Sequence, residues 1–522
     1  MTRPGIAAPL LVAPSTTELR ASTAPKNMQR SSYRDEITSA GDDAHERQRR
    51  GTRQLLVGRG VFFASAYVVS AILTRSLGPT DYGVYGVVVS QLFWLEMVVH
   101  AGIPAATSKL MADGRHDPVD VERAARALLI VSSALLFVVC WFLARGVADL
   151  MRIPDGQMLF RIAILDLPFA AIYASYEGIL YGRRQFGVLA RAQIVYGAAR
   201  VAAIAALTAI GLSIEWALVA IVGSSLIVCT FIGIQYPPRG FRINRRTMRE
   251  IVRFAGPMAL CLISGQVLVN LDLWALKSLW PGSGVVVGQY VASLSLARML
   301  AVIPTVQAGV LFSSVAWASA SRDNARAVRH IQEATRFALV IAAAPCVLLA
   351  MNGSEVLSVL FSRPYAEGQR FLPFHLLGFG LFAVLDVFAN ALMAAGRHRV
   401  VAAVLTAAVP LVWVGNYFLI PSVGPAGAAI TVVVGIGAAT IVIGAIARAH
   451  FGSLVRAAML TRVIVAAAVV GFASAAFHVE GPLVLLKLAL LGGLYILVLY
   501  FLKEVTLQDL GLAWIVRRRS AS

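Results

Sequence analysis

The sequence predicts an all-α, polytopic membrane protein of about fourteen transmembrane helices, and three observations carry that expectation. Hydrophobic residues make up 58% of the 522 and charged residues 14%, where soluble domains carry about 25% charged. The mean hydropathy is +0.75. Apolar runs long enough to cross a bilayer, at about 20 residues each, recur along the chain with short polar connections between them. The runs do not alternate in ten-residue segments, so a barrel is excluded and helices are the remaining way to satisfy the backbone in lipid.

Residues 1–50 are rich in Ser, Thr, Ala, Arg and Asp and lack periodicity, which predicts a disordered cytoplasmic tail. The apolar "GIAAPLLVAP" within it is short and broken by prolines, a poor signal-peptide core. An N-terminal six-helix lobe follows over 51–240, with apolar segments at about 55–74, 82–103, 126–147, 160–181, 190–211 and 214–235. Its first two segments meet across "LTRSLGPTDYG". Gly78-Pro79 cannot continue a helix, Asp81 can cap the next one, and Arg75 can snorkel to the headgroups.

A C-terminal six-helix lobe over 241–450 has segments at about 252–279, 287–318, 334–352, 370–395, 399–420 and 425–447. The run 287–318 contains Pro304. It is read as one long kinked helix, because splitting it would put the basic stretches "PPRGFRINRRTMREIVR" and 322–336 on opposite sides of the membrane. A terminal helix pair, at about 459–478 and 482–502, fills 451–503. Residues 504–522 form a cytoplasmic basic tail in which Leu507, Leu510 and Trp514 share a helical face before Arg517, Arg518 and Arg519, a pattern suited to the inner leaflet surface.

The net charge of +19 raises the possibility of nucleic acid, and the placement of the charges removes it. Alternate connections, beginning with that between the second and third segments, hold roughly three times the Lys and Arg of the others. Both tails are basic and belong with them. The excess is topological, the basic side is the cytoplasm, and both termini lie there, as in a multi-pass inner-membrane protein. The four cysteines (Cys140, Cys229, Cys261 and Cys346) fall inside apolar runs without paired spacing, so no disulfide framework or metal site is implied.

The two halves echo one another. "DYGVYGVVVS" opens the second segment and "VGQYVASLSL" the eighth; "ILYGRRQFGVLARAQ" closes the fourth as "ALMAAGRHRVVAAVL" closes the tenth. An even number of helices per repeat inserts both copies the same way up, a common transporter plan. The hairpin stretch "LTRSLGPTDYGVYGVVVSQ", through Leu77, Gly78, Pro79, Tyr82, Gly83 and Tyr85, resembles the first hairpin of the Wzx-type flippases of lipid-linked oligosaccharides. These are polysaccharide exporters of the multidrug/oligosaccharidyl-lipid/polysaccharide (MOP) superfamily. A second stretch, "LVNLDLWALKSLWPGSGVVVGQY", is similar to the family's seventh and eighth spans, with an Asp, a tight turn and a Gly-x-Tyr. The resemblance covers about residues 55–502. It implies alternating access between two lobes, a lipid-linked oligosaccharide as substrate, and membrane lipids and other polysaccharide-assembly membrane proteins as partners.

Charges within spans cost about 2.5–3.5 kcal/mol each on insertion scales, so they face a cavity or a partner. With Arg59, Arg75, Lys277 and Glu215 set aside as lying near span ends, where snorkelling is enough, those here are Glu96, Asp166, Glu177, Arg200, Asp272, Arg298, Asp386 and Lys487. A diphosphate headgroup crossing the bilayer needs cations, and a planar guanidinium fork matches phosphate, so Arg200 and Arg298 are the candidate cavity residues. Asp272, Asp386 and Glu96 are candidates to couple transport to an ion or to pair with an arginine. Asp386 with Asn390, and Glu96 with His100, share helical faces four residues apart. For each of these the competing reading is an ion pair that only holds helices together. Lys487 lies outside the two lobes and reads as a packing or lipid contact.

The sequence holds no Walker loop, no HExxH and no Gly-x-Ser-x-Gly, so no enzyme chemistry, cofactor or nucleotide-driven pumping is expected. Short external connections weigh against a glycosyltransferase or polymerase. The expected function is export of a polyprenyl-diphosphate-linked oligosaccharide from inner to outer leaflet. The alternatives within the superfamily are a peptidoglycan-precursor flippase and a cation-coupled multidrug exporter.

Overall fold

The computed structural model describes residues 26–112, 116–211, 213–237 and 244–505. The chain divides into two units, residues 1–53 and 54–522. In the first, residues 26–53 are helical, where the sequence pattern predicts no regular structure over 1–50. The described helix from Lys26 holds no proline before Pro79, so the residue type most damaging to a helix interior is absent there.

The second unit is helical throughout its regular structure. In chain order the helices are α1 (Lys26–His100, of which 54–100 belong here), α2 (Ile103–Ala112), α3 (Pro118–Leu150), α4 (Gly156–Ile164), α5 (Leu167–Gly182), α6 (Phe186–Ala209) and α7 (Ile214–Gln235). Next come α8 (Arg245–Leu268), α9 (Leu271–Leu279), α10 (Gly284–Ala297), α11 (Val302–Ala320), α12 (Asn324–Phe361), α13 (Leu372–Ala394), α14 (His398–Val423) and α15 (Pro425–Phe451). The last two are α16 (Ala457–Ala476) and α17 (Leu483–Phe501). Short 3-10 turns, Arg298–Ala301 and Arg363–Arg370, follow α10 and α12.

Twelve helices among the described residues are long and apolar enough to cross a membrane, or thirteen if Arg245–Gly256 and Met258–Leu268, bent by 43°, make one span. The protein is a multi-pass membrane protein. Against the expected number of about fourteen, the count is lowered by the bend in Arg245–Leu268 and by the first stretch. Val57–Met111 counts as a single candidate, although it holds the two segments that the sequence separates at Gly78.

Gly78 (φ 72, ψ 174) is non-helical inside α1, a conformation that glycine adopts without a Cβ penalty. The Tyr67 hydroxyl reaches the Ser295 carbonyl at 3.4 Å, and the Tyr82 hydroxyl reaches the Ser295 Oγ at 3.4 Å. A straight helix would separate Tyr67 from Tyr82 by about 22 Å. The chain therefore turns back at Gly78-Pro79, and α1 is a hairpin with limbs 54–77 and 79–100.

The second limb packs lengthwise on α10. A Cβ at Gly83 would lie 2.8 Å from the Gly288 nitrogen, and one at Gly288 would collide with the Pro79 carbonyl. Only paired glycines let these backbones touch, as small residues do where helices cross closely in membranes. The two Gly-x-Tyr stretches meet here. The glycines Gly83 and Gly288 make the contact, while Tyr85 and Tyr290 turn into the buried interior.

Around this contact, α2, α3 and α5 pack together, as do α6 and α7; in the second half α8, α14, α15 and α13 pack in series. The terminal pair is stitched to α12 by polar bonds. Lys487 Nζ donates to Asn352 Oδ1 at 2.7 Å and to the Ser474 carbonyl at 2.9 Å, and Asn352 Nδ2 donates to Ser474 Oγ at 2.7 Å. The face formed by Leu507, Leu510 and Trp514 lies outside the described residues.

Candidate functional site

Two polar clusters lie buried on either side of the 79–100 limb. The first gathers on α9, α10 and α13. Asn270 ends the preceding turn and Asp272 stands in the first turn of α9, its side chain only 1% exposed. Tyr290 donates to Asp272 Oδ2 at 2.7 Å. His375 Nε2 lies 3.7 Å from the same oxygen, and its Nδ1 is 2.9 Å from Ser293 Oγ. The His375 ring stands edge-on to Tyr290 at 4.5 Å. Asp272 Oδ1 has no partner among the described residues, and it borders a cavity of about 10 Å³ shared with His375, room for roughly one water.

Arg298 closes this cluster from the end of α10. It donates to Asn270 Oδ1 at 2.6 Å and interacts electrostatically with Asp272, Tyr82 and Tyr67. Although Asn270 and Asp272 are two apart and point differently, Arg298 touches one by a hydrogen bond and the other through its charge.

The second cluster belongs to α1, α5, α6 and α7. Arg200, 7% exposed, donates to the Tyr85 hydroxyl at 3.2 Å. The carboxyl groups of Glu96 and Asp166 face one another, Asp166 also faces Ser225, and Arg200 acts electrostatically on both acids. Arg200 Nε is buried without a partner among the described residues.

The limb between the clusters is aromatic. Tyr82 and Tyr85 stack at 6.2 Å, with Tyr82 in the field of Arg298 and Tyr85 bonded to Arg200. Two turns further on, the Trp274 indole donates to Ser90 Oγ at 2.9 Å, and its ring meets Trp94 edge-on at 5.9 Å. This limb is the seam along which elements of the two halves of the chain face each other.

The seam is closed at both ends. At the Gly78 end, Arg75 bonds the Val359 and Leu360 carbonyls and Tyr365 bonds the Thr74 carbonyl. At the opposite end His116 pairs with Glu250 at 3.0 Å, Asn244 Nδ2 donates to Asp120 Oδ2 at 3.2 Å, and Lys109 lies over the Phe254 ring at 4.3 Å.

Of the sequence candidates, the structure thus brings Arg298 to Asp272 and Arg200 to Glu96. It does not place Asp386 in either cluster. Asp386 lies eleven residues beyond His375 on α13, about 16 Å along a helix. Asn390 bonds its backbone carbonyl, and its Oδ2 is buried without a partner among the described residues. The Glu96–His100 pairing takes another form: His100 Nδ1 contacts the Glu96 backbone carbonyl at 2.8 Å, and the carboxyl faces Asp166 instead.

Sequence reasoning missed His375, Ser293 and the tyrosine hydroxyls. A survey of formal charges passes over them. A histidine within "FLPFHLLGFGLF" carries the signal, since a titratable ring in an apolar run needs a polar partner as a carboxylate does.

Residues 49–317 match the model of a family described as polysaccharide biosynthesis protein. A Shigella flexneri protein provisionally named an O-antigen transporter is 20% identical over 373 residues, covering 69% of this chain and 88% of that protein. Among solved structures, the lipid II flippase MurJ in an inward closed conformation shares the fold with a TM-score of 0.70 at 12% identity, over 87% of this chain and 99% of that one. An inward-facing multidrug resistance MATE family transporter of the MOP superfamily follows at 0.63 and 16% identity, over 77% and 98%. At such identities the likeness to these two is one of fold.

Proposed function

Because the chain belongs to the polysaccharide biosynthesis protein family, we propose that it is a flippase. It carries a polyprenyl-diphosphate-linked oligosaccharide from the inner to the outer leaflet for surface polysaccharide assembly. The observation that carries this reading is the pair Arg200 and Arg298. They stand on either side of the stacked Tyr82 and Tyr85, at the seam between the two halves. Parting the halves along that seam bares two guanidinium groups and a row of hydroxyl-bearing rings together. Such a surface suits an anionic, hydrogen-bonding headgroup, while the polyprenyl tail stays in lipid.

The roles divide by chemistry. Arg298 bonds a neutral amide, so it can exchange that partner for a phosphate oxygen in a stronger bond with a charge on both partners. Arg200 answers Glu96 and Asp166 and takes up substrate as those acids change partner or proton. Asp272, with Tyr290 and His375 around it, and Glu96 with Asp166 are the groups proposed to couple or lock the two states; Asp386 stands apart as a further acid. The basic connections and tails assign the His116–Glu250 end of the seam to the cytoplasm and both termini with it, in the inner membrane. With the inside negative, an anion moving outward gains about 2.3 kcal/mol per charge per 100 mV, so outward transport of a diphosphate needs no nucleotide.

Deleting the gene tests this reading in cells. The expected result is loss of surface polysaccharide, with lipid-linked oligosaccharide accumulating where impermeant periodate added to intact cells cannot oxidise it. Normal delivery of the polysaccharide without the protein would overturn it.

A further inference from the structure

Arg75, a cation at the Gly78 end of the seam, has no anionic partner among the described residues. Arg75 Nη1 donates to the Leu360 carbonyl at 2.6 Å and to the Ala71 carbonyl at 2.9 Å, and its Nη2 donates to the Val359 carbonyl at 2.8 Å. Every one of these acceptors is neutral, and the ion pairs among the described residues do not include Arg75.

Val359 and Leu360 lie in the last turn of α12, whose final carbonyls have no partners within the helix. The helix cannot run on to supply them, since Ser362 takes φ 98 and ψ 160, a region that side chains disfavour. Arg75 therefore crosses the seam to cap a helix C-terminus, where a cation meets the negative end of the helix dipole.

A bond in the other direction completes the lock. Tyr365, fully buried, donates to the Thr74 carbonyl at 3.1 Å, and its ring stands edge-on to Tyr82 at 5.7 Å. Neighbouring residues of the hairpin, Thr74 and Arg75, are thus tied to the end of α12 and the turn after it. The backbone contact of Gly83 with Gly288 lies beside them.

We propose that Arg75 is a phosphate-responsive latch: it holds this end of the seam shut through the α12 carbonyls and releases it by exchanging them for the phosphate oxygens of the arriving headgroup. Bonds between a guanidinium and a phosphate have a full charge on both partners and are roughly twice as strong as neutral ones. The planar fork also offers two parallel donors to one phosphate, which a lysine cannot do. Arg75 is solvent-exposed at the end of the seam opposite the cytoplasmic one, so a headgroup carried along the seam from the inner leaflet meets it last. The inference rests on the flippase reading for the identity of the anion, and on geometry alone for the latch.

The test uses the full chain in nanodiscs. Cys140, Cys229, Cys261 and Cys346 are replaced, and Ser295→Cys serves as a reporter inside the seam, beside Tyr67 and Tyr82. Its alkylation by an impermeant maleimide is timed with and without polyprenyl diphosphate, with uncharged polyprenol as control. The diphosphate lipid is expected to speed labelling of the Arg75 protein and polyprenol is not. Arg75→Gln should label on the order of tenfold faster without lipid, as the charge-assisted cap is lost, and should gain nothing from lipid. Arg75→Lys, which keeps the charge and guards against a folding defect, should respond to the lipid more weakly than the parent.

Labelling of Arg75→Gln as slow as the parent, or a lipid response undiminished in both variants, would overturn the latch. A parent protein that ignores the diphosphate lipid overturns the exchange. Flipping measured on the same preparation then separates the two readings. If lipid-linked oligosaccharide still crosses, only the latch is lost; if it does not, the flippase reading falls as well.

Discussion

Arg200 of α6 donates to the hydroxyl of Tyr85 in the first hairpin at 3.2 Å, across 115 residues of sequence. Tyr85 in turn stacks on Tyr82, beside Arg298. A single turn of helix thus lies between the two guanidinium groups that the sequence nominated separately, and their environments differ. Arg298 bonds a neutral amide in the field of one carboxyl group, Asp272, whereas Arg200 lies in the field of two, Glu96 and Asp166.

That difference predicts opposite balances of function and stability. Arg298→Gln should reduce flipping at least tenfold with the smaller change in melting temperature, because Asn270 keeps a neutral hydrogen-bonding neighbour and Asp272, which loses the charge of Arg298, keeps the Tyr290 hydroxyl. Arg200→Gln should reduce flipping and also destabilise the fold by about 3–5 kcal/mol, the usual cost of leaving buried charge without its partner. Thermal unfolding in detergent, read beside transport, separates the two. Equal melting shifts for both variants would contradict the assignment.

Tyr290→Phe removes the donor to Asp272 Oδ2 while leaving the ring against Phe371 and His375. Since Asp272 is buried, the expected destabilisation is about 1–3 kcal/mol. Asp272→Asn in the same background should add less than it does alone, because the two changes remove one interaction. A double-mutant cycle by thermal unfolding measures this, and simple additivity would show that the bond contributes nothing.

Gly288→Ala forces a methyl group against the Pro79 carbonyl. Backbone cannot yield as a side-chain tip does, so the seam should loosen at a cost of about 1–3 kcal/mol, the range for overpacking. Greater maleimide access to Ser295→Cys is the expected readout, and unchanged access would mean that the two backbones part easily.

Lys487→Met leaves Asn352 Oδ1 and the Ser474 carbonyl without their donor. The terminal pair should be destabilised by about 1–3 kcal/mol, while flipping per folded molecule stays unchanged. Loss of flipping in a fully folded Lys487→Met protein would bring α16 and α17 into the transport path.

Much of this architecture was legible in the sequence, for physical reasons particular to membranes. Length and apolarity located the spans, and Gly78-Pro79 located the hairpin, because neither signal depends on what packs against it. The exact number was less accessible, since Val57–Met111 counts as one candidate span although Gly78 breaks the helix within it. Within the site, Arg200, Arg298, Asp272 and Glu96 stood out because charge is costly in lipid. Their partners did not. Asp166, a charge within a span but not among the acid candidates, is the group that Glu96 faces, and His375 has no formal charge to attract notice. Pairings such as Arg75 with the end of α12 cannot be read from spacing, because they join residues almost 300 positions apart in the chain.

The central claim is that the paired arginines carry a diphosphate-linked sugar headgroup across the bilayer. Its most direct test is headgroup exposure in proteoliposomes, with lipid-linked oligosaccharide placed on one leaflet and a lectin added on the other. The predicted result is faster exposure than in protein-free vesicles, lost in Arg298→Gln and unaffected by Lys487→Met. No acceleration with several such lipids, together with uptake of a cationic dye under an ion gradient, would contradict it and move the protein to cation export.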